Sequence, residues 1–233
     1  MIDFHTHILP NVDDGSNSIE QSLEMLNILK GQGVNTLLLT PHFYANDESV
    51  DEFIDRRNNA YIRLLEKTME TPELILGAEV RYYDGISHLQ DLKKLRIEGT
   101  RFLLLEMPFN RWTDYAINEI IDIASRGKIT LVLAHIERYL PVLSNKVIEL
   151  LSNHGVLFQV NASFFDGFVK SRKAVKMLKQ NLIHFIGTDS HNTDDRAPNM
   201  DVAKNAINKK VGERAFDSFV EFSNNLFDQN KIV

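Results

Sequence analysis

Short apolar runs alternate with amphipathic stretches along almost the whole chain, and this alternation predicts the fold class. Leu, Ile and Val dominate most of the runs, as expected of parallel strands that are covered on both faces. The runs span residues 1–5, 34–40, 74–80, 102–107, 129–135, 156–160 and 182–187. Apolar positions recur with helical spacing in residues 18–32, 52–67, 113–126, 146–153 and 170–180. We expect residues 210–233 to form a further helical segment that packs on the outside.

Repeated strand–helix alternation implies parallel strands joined by right-handed crossovers. About seven such units in 233 residues suit a closed or nearly closed α/β barrel, and an open doubly wound sheet is the alternative. The chain has no linker rich in Pro, Gly or Ser and no break in composition. We therefore predict a single domain over residues 1–233.

Charge and composition exclude several classes of protein. A net charge of −6 argues against nucleic-acid binding, which needs a basic face. The chain contains no cysteine, which removes disulfides, thiolate metal sites and cysteine nucleophiles. No apolar run approaches the roughly 20 residues that cross a bilayer, and no signal-peptide pattern precedes the first strand. We expect a cytoplasmic protein without membrane insertion, and the sequence leaves its oligomeric state open.

Ionisable side chains follow six of the seven apolar runs, at or just after the carboxyl end of each. In chain order they are His5, His7, Asp14, His42, Glu79, Glu106, His135, Asp189 and His191. The sixth run ends with Gln159 and Asn161 instead. In a barrel of parallel strands these ends meet at one mouth, where active sites are built. The pattern predicts one site assembled from most of the chain.

Taken singly, each of these residues has a more ordinary interpretation as a solvated loop residue or a helix cap. Strand periodicity favours the shared site, because it places Glu106 on the same face as Phe102 and Leu104. By the same rule Glu79 and Asp189 lie on inward, mostly apolar faces. An unpaired charge there would cost several kcal/mol, and bound cations remove that cost.

Four other ionisable residues are expected to have structural roles. We interpret His88, His154 and His184 as structural or surface residues, because none follows a strand on the inward face. Asp3 is expected on the inward face below His5. There it would either accept a hydrogen bond from an imidazole or make a polar contact in the core.

The nine side chains exceed what one ion accepts and suit two or three divalent ions. Nitrogen and oxygen ligands without sulfur suit manganese, iron(II) or zinc, in no order that the sequence decides. Such ions lower the pKa of bound water and produce a hydroxide nucleophile. Arg138 and Arg196 follow two of the histidines closely, and the planar guanidinium suits phosphate oxygens. The sequence contains no P-loop, dinucleotide fingerprint or G-x-S-x-G elbow.

These motifs together resemble a known superfamily. They are "HTH" at residues 5–7, "DDG" at 13–15, "PH" at 41–42, "GAE" at 77–79, "HIERY" at 135–139 and "DSHN" at 189–192, followed by Arg196. The chain resembles the polymerase and histidinol phosphatase (PHP) superfamily over residues 1 to 196. More narrowly, it is similar to the manganese-dependent bacterial protein-tyrosine phosphatases of capsule and exopolysaccharide operons.

The resemblance implies a distorted (β/α)₇ barrel of the TIM type that holds three metal ions. Manganese is the expected metal, and iron or zinc are the alternatives. His5, His7, Glu79 and Asp189 would hold one ion. The second would be held by Glu79, Glu106 and His135, and the third by Asp14, His42 and His191. Arg138 and Arg196 would grip the phosphate.

Family members dephosphorylate tyrosines on a cognate autokinase that controls polysaccharide export, so the resemblance implies a phosphotyrosine protein as partner. Residues 43–51, 107–114 and 163–172 carry no family motif, and as loops at the mouth they are expected to set substrate choice. A tyrosine phenol has a pKa near 10, so its phenolate leaves more readily than an alkoxide. This difference favours aryl phosphates as substrates.

Two other functions stay open at this point. One is a phosphoesterase for small alkyl phosphates, such as histidinol phosphate. The other is a non-catalytic module that binds a phosphorylated kinase tail through its metal ions.

Overall fold

The computed structural model describes residues 1–68 and 72–232. The strands in this part of the chain are β1 Ile2–Thr6, β2 Thr36–Leu39, β3 His42–Phe43, β4 Glu73–Leu76, β5 Glu79–Arg81, β6 Phe102–Glu106, β7 Thr130–Leu133, β8 Leu157–Asn161 and β9 Phe185–Gly187. The α-helices are α1 Ile19–Gly31, α2 Val50–Leu65, α3 Asp114–Ser125, α4 Asn145–Asn153, α5 Phe168–Lys179, α6 Met200–Val211 and α7 Ala215–Gln229. None of the helices within residues 1–68 and 72–232 has both the length and the apolar character to cross a bilayer.

The C-terminal part of the chain differs from the prediction. The helical segment expected over residues 210–233 is α7, which ends at Gln229, and Val233 lies outside the described residues. Helix α6 was not predicted. Its buried residues Met200, Ala203 and Ile207 recur at helical spacing, and this spacing in the sequence could have predicted the helix.

All paired strands run parallel, as the strand–helix alternation predicts. One sheet has the order β1-β2-β4 and the other the order β3-β5-β6-β7-β8-β9. Beyond the last strand, the chain returns to the first, because Asp189 N donates to His5 O at 2.8 Å. The predicted α/β class is confirmed, with a curled parallel sheet rather than an open flat one.

Two predicted strands are each interrupted in the middle. Residues 34–40 and 74–80 were expected to be continuous, but β2 and β3 are separated by Thr40 and Pro41. Pro41 has no amide hydrogen to donate to a neighbouring strand. Between β4 and β5 the chain passes Gly77, where a Cβ would collide with Ile97. Both breaks lie just before a residue of the candidate site.

The apolar core has two layers, separated by the sheets. The inner layer is a cluster of side chains enclosed by the strands, in which Phe4 stacks on Phe185 with ring centroids 3.8 Å apart. Phe227 of α7 packs against Phe102 at this level, with centroids 5.8 Å apart. This inner layer leaves the carboxyl ends of the strands for polar side chains.

A β-bulge in β1 changes which side chains face inward. Asp3 pairs with Leu37 and Thr6 with Leu39, so β1 uses one residue more than β2 over this span. As a result both Phe4, in the inner apolar cluster, and the next residue, His5, face the interior.

The expected position of Asp3 was wrong. Because of the bulge, Asp3 lies on the opposite face of β1 from His5. Its carboxylate accepts hydrogen bonds from the backbone N (2.8 Å) and Oγ1 (2.6 Å) of Thr188. Burial raises the pKa of Asp3 to about 6. Of the two expected roles, the core polar contact is therefore the observed one.

The three histidines interpreted as structural or surface residues lie away from the candidate site. His88 and His154 are exposed. His184 accepts a hydrogen bond from Phe158 N at Nδ1 (3.0 Å), and its ring lies 6.5 Å from that of Phe222 on α7. His184 thus joins β8 to the outer helix.

His184 makes stability depend on pH. Burial lowers its pKa from 6.5 to about 4. The unfolded chain therefore binds more protons between these values, and the free energy of unfolding falls as the pH falls. Between pH 7 and pH 5 we expect wild type to lose about 1–2 kcal/mol more than His184→Gln, measured by urea unfolding. His154→Gln is the exposed control and should follow wild type. Equal losses for wild type and His184→Gln would contradict the assignment.

Candidate metal and phosphate site

Glu79 lies at the centre of the cluster that the strand ends form. Its Oε2 is 3.1 Å from His5 Nε2, 3.2 Å from His7 Nε2 and 3.1 Å from His42 Nδ1. Its Oε1 is 2.9 Å from His135 Nε2. One buried carboxylate is thus shared by four imidazoles from three different parts of the chain.

The structure brings all nine predicted metal ligands together. Three overlapping groups have ligand atoms within 4.8 Å of one another: His7, Asp14, His42 and His191; His5, His7 and Asp189; and His42, Glu79 and Glu106. His135 joins them through Glu79 and through Glu106 Oε1, which is 3.5 Å from its Nε2. The groups overlap with the three implied ligand sets but differ from them in membership.

Two of the nine residues are turned into the site by unusual backbone geometry. The alternation of β5 and β6 places Glu79 and Glu106 inward, as predicted. His135 and Asp189 instead have positive φ angles, 33° and 52°. Residues other than glycine seldom adopt this region, and such strain collects at functional sites. It directs both side chains into the cluster after their strands have ended.

A glycine allows the last strand to approach the first. A Cβ at Gly187 would lie 2.5 Å from Cβ of His5 and 2.9 Å from its N. Only glycine therefore fits at this point of β9. The close approach places Asp189 Oδ1 3.7 Å from His5 Nε2 and 3.5 Å from His7 Nε2.

Asp13 has a role that sequence reasoning did not assign. Its Oδ2 lies 2.7 Å from His7 Nδ1 and also accepts a hydrogen bond from His42 N at 2.9 Å. Burial disfavours charge on His7, but the carboxylates of Asp13 and Glu79 together outweigh it and raise the pKa of the imidazole well above its usual value. Asp13 thus orients His7, while the neighbouring Asp14 faces His42 and His191. The paired aspartates of "DDG" were the available signal.

The strand without an ionisable residue supplies two orienting amides. Gln159 Oε1 accepts a hydrogen bond from His135 N (2.7 Å) and lies 3.3 Å from His5 Nδ1. Asn161 Nδ2 donates to Asp189 Oδ2 at 2.8 Å. Strand β8 therefore takes part in the site by holding its other members, which the strand-end pattern did not reveal.

The donor set fits divalent metal ions. Within the described residues, the buried His191 Nε2 makes no hydrogen bond, and neither does the buried His42 Nδ1, although it lies 3.1 Å from Glu79 Oε2. Nε2 of His5 and Nε2 of His7 lie only 3.0 Å apart beside the same carboxylate oxygen. Burial lowers the pKa of His42 and His135, and burial together with His7 lowers that of His191 to about 3. Neutral imidazoles beside carboxylates, as at these three positions, are the form that manganese, iron(II) and zinc bind.

Both predicted arginines reach the rim of this cluster. Arg138 Nη2 is 2.5 Å from Asp189 Oδ2, and Arg196 Nη2 is 2.9 Å from Asp189 Oδ1. Their side chains are 35% and 36% exposed. Two guanidiniums therefore face the mouth from a shared carboxylate, an arrangement suited to an incoming phosphate dianion.

Three further side chains at the rim were not predicted. Arg81, which directly follows the "GAEV" stretch, contacts Glu106 Oε2 through Nη1 at 2.6 Å. Tyr44 lies against His42 with ring centroids 5.3 Å apart, and Phe109 lies against His135 with centroids 6.2 Å apart. Burial and nearby Glu106 raise the pKa of Tyr44 to about 12, so it stays a neutral phenol. Tyr44 and Phe109 come from two of the loops expected at the mouth.

Comparison with known proteins places the chain in a family. Residues 1–227 match the family described as "Capsular polysaccharide synthesis, CpsB/CapC". The chain belongs to this family. The membership inferred from the motifs is thereby confirmed.

Individual relatives agree with this assignment. Tyrosine-protein phosphatase YwqE of Bacillus subtilis is 33% identical over 224 residues, covering 91% of this chain and 85% of the relative. Tyrosine-protein phosphatase CpsB of Streptococcus agalactiae is 30% identical, covering 100% of each chain. Both are similar to this chain over nearly its full length.

Solved structures show the same architecture. One from work on YwqE of Bacillus subtilis and CpsB of Streptococcus pneumoniae, described as unique metal-dependent tyrosine phosphatases, superposes with a TM-score of 0.83 at 26% identity, covering 100% of this chain and 96% of that chain. A beta-aspartyl dipeptidase from Fervidobacterium islandicum gives a TM-score of 0.55 at 13% identity, covering 100% and 74%. The second likeness concerns the fold alone.

Proposed function

We propose that this chain is a metal-dependent protein-tyrosine phosphatase of capsular or exopolysaccharide synthesis. The observation that carries the proposal is the placement of Arg138 and Arg196 on Asp189, at the rim of a buried cluster of imidazoles and carboxylates. A phosphate held by the two guanidiniums would lie directly over that cluster. The names of the family and of its similar members support phosphotyrosine as the substrate.

The nine residues would hold three divalent ions. Manganese is the proposed metal, and iron or zinc are the alternatives. His5, His7, Glu79 and Asp189 would form one site; Glu79, Glu106 and His135 a second; Asp14, His42 and His191 a third. Glu79 would belong to two of these sites, consistent with its contacts to four imidazoles. Bound ions would supply the Lewis acidity that activates water for attack on phosphorus.

The chain's own residues bind and orient the substrate. Arg138 and Arg196 hold the non-bridging phosphate oxygens and neutralise charge that develops there. Asp13 and Gln159 fix the rings of His7 and His5, so the cluster keeps its shape during turnover. The tyrosine phenolate, with a pKa near 10, departs with little help from a general acid.

We further propose that the fold is a distorted (β/α)₇ barrel forming one domain over residues 1–233. Strands β2 with β3 and β4 with β5 would each count as one interrupted strand. Gly77 N donates to Leu39 O at 2.8 Å and Glu79 N to Pro41 O at 3.0 Å, which ties the two interrupted strands together. His7 N donates to Ser190 O at 2.9 Å, which joins the first strand to the last.

The proposed partner is a phosphotyrosine-bearing segment of a tyrosine autokinase, and the proposed location of this interaction is the cytoplasm. A kinase consumes ATP, so a phosphatase that acts on its tail works in the same compartment. The net charge of −6 makes nucleic acid an unsuitable partner.

Hydrolysis of a phosphotyrosine peptide by the purified, manganese-loaded protein tests the proposal. We expect turnover, its loss on chelation, and its return when manganese is added back. Comparison of kcat/KM for the peptide and for histidinol phosphate separates the two phosphatase hypotheses. Full activity after chelation would contradict the proposal. Tight peptide binding without turnover in manganese, iron(II) or zinc would indicate the non-catalytic module instead.

A further inference from the structure

We infer that Phe109 forms an aryl-binding wall beside the phosphate-binding arginines and makes this site prefer phosphate esters of phenols to those of aliphatic alcohols. This inference rests on the proposed phosphatase function and deepens it. It concerns the ester's organic group, for which the proposed function assigns no binding residue.

Phe109 adjoins both parts of the proposed reaction centre. Its ring faces that of His135 at 6.2 Å between centroids and 28° between planes. The guanidinium carbon of Arg138 lies 5.8 Å from the ring centroid, and that of Arg81 lies 5.6 Å away on the same ring. A phosphate held by Arg138 therefore has Phe109 as an immediate neighbour.

The ring is exposed although its loop is firmly anchored. Phe109 is 53% exposed, whereas Trp112 in the same loop is 5% exposed and donates from Nε1 to Pro108 O at 3.1 Å. At the start of the loop, Met107 N donates to the Tyr139 hydroxyl at 3.0 Å, and this hydroxyl donates to Met107 O at 2.8 Å. The loop thus holds a large apolar ring in solvent at the mouth, in place before substrate arrives.

The chemistry of the ester decides what covers this ring. In phosphotyrosine the ester oxygen joins phosphorus directly to an aromatic ring, so the aryl group enters the space beside Phe109. Offset or edge-to-face aromatic contact and burial of apolar surface both favour this complex. In phosphoserine or histidinol phosphate a flexible methylene occupies the same position, and the imidazole of histidinol phosphate lies two further carbons away from the phosphate.

Replacement of Phe109 by leucine tests the wall. We expect Phe109→Leu to lower kcat/KM about 3- to 10-fold for p-nitrophenyl phosphate and a phosphotyrosine peptide, mainly through KM. For histidinol phosphate and a phosphoserine peptide the change should stay below about twofold, and Phe109→Trp should retain the aryl preference. The matched control is Phe222→Leu. Phe222 is 45% exposed and lies beside His184 on α7, so its substitution should leave kcat/KM unchanged for all four substrates.

Equal losses on aryl and alkyl esters, or no loss on either, would overturn the inference. Calorimetric binding of phenylphosphonate and methylphosphonate gives a readout that needs no turnover. Wild type should bind the phenyl compound more tightly, and Phe109→Leu should lose that preference. If wild type hydrolyses no phosphate ester, the proposed function fails, and the two phosphonates still decide whether Phe109 forms an aryl wall.

Discussion

Replacement of Glu79 by glutamine should lower kcat/KM for a phosphotyrosine peptide on the order of 10³-fold. The neutral amide removes the negative charge that faces His5, His7 and His42 through one oxygen. It also turns hydrogen-bond donors toward imidazoles whose lone pairs would bind metal. We expect the purified variant to retain fewer metal ions, as measured by elemental mass spectrometry.

Glu119→Gln is the matched control for that change. Glu119 is also a buried carboxylate, and it accepts hydrogen bonds from the Tyr82 hydroxyl (2.8 Å), Gly85 N (3.0 Å) and Ser87 N (3.2 Å). Its substitution should cost about 1–3 kcal/mol of stability while activity and metal content stay near wild type below the melting temperature. The central role of Glu79 would be refuted by a Glu79→Gln protein with full metal content and activity within tenfold of wild type.

Loss of both rim arginines should lower kcat/KM by a similar factor. Each charge-assisted hydrogen bond to phosphate contributes about 1.5–3 kcal/mol, so Arg138→Met and Arg196→Met should each lower kcat/KM about 10- to 100-fold. The double variant should fall on the order of 10³-fold, with some non-additivity because both side chains contact Asp189. Lysine at either position should restore only part of the loss, because an ammonium cannot form the planar two-pronged contact.

Arg126→Met provides the control for a lost arginine. Its guanidinium pairs with Asp122 of α3 and donates to Ser87 O, and its side chain is 45% exposed. We expect kcat/KM within about twofold of wild type, since exposed ion pairs contribute little. Wild-type kinetics in the Arg138→Met, Arg196→Met double variant would show that the phosphate binds elsewhere.

Much of the architecture follows from local patterns. A period of two along Phe102, Leu104 and Glu106 defines which face turns inward, and parallel strands must present their carboxyl ends at one edge. Strand direction therefore predicts that the nine side chains meet at one edge, where the structure clusters them with Arg138 and Arg196 beside Asp189. The membership of the family followed from the same residues.

Periodicity failed where the backbone departs from regular geometry. Both Asp3 and His5 were expected to face inward. Because of the bulge in β1, His5 does face inward, whereas Asp3 faces outward. His135 and Asp189 face the cluster through positive φ angles. Neither feature has a signature in the spacing of apolar residues, because each depends on contacts with a neighbouring strand.

By itself the sequence therefore determined the fold class and the nine clustered side chains with their chemical type, because these depend on strand direction and on short-range periodicity. Only the tertiary structure decided how the residues are oriented and which neighbours hold them. Asp13 on His7, Gln159 beside His5 and Phe109 beside His135 are examples. Such contacts join segments that lie far apart in the chain or leave regular strands, and packing of the whole chain sets their geometry.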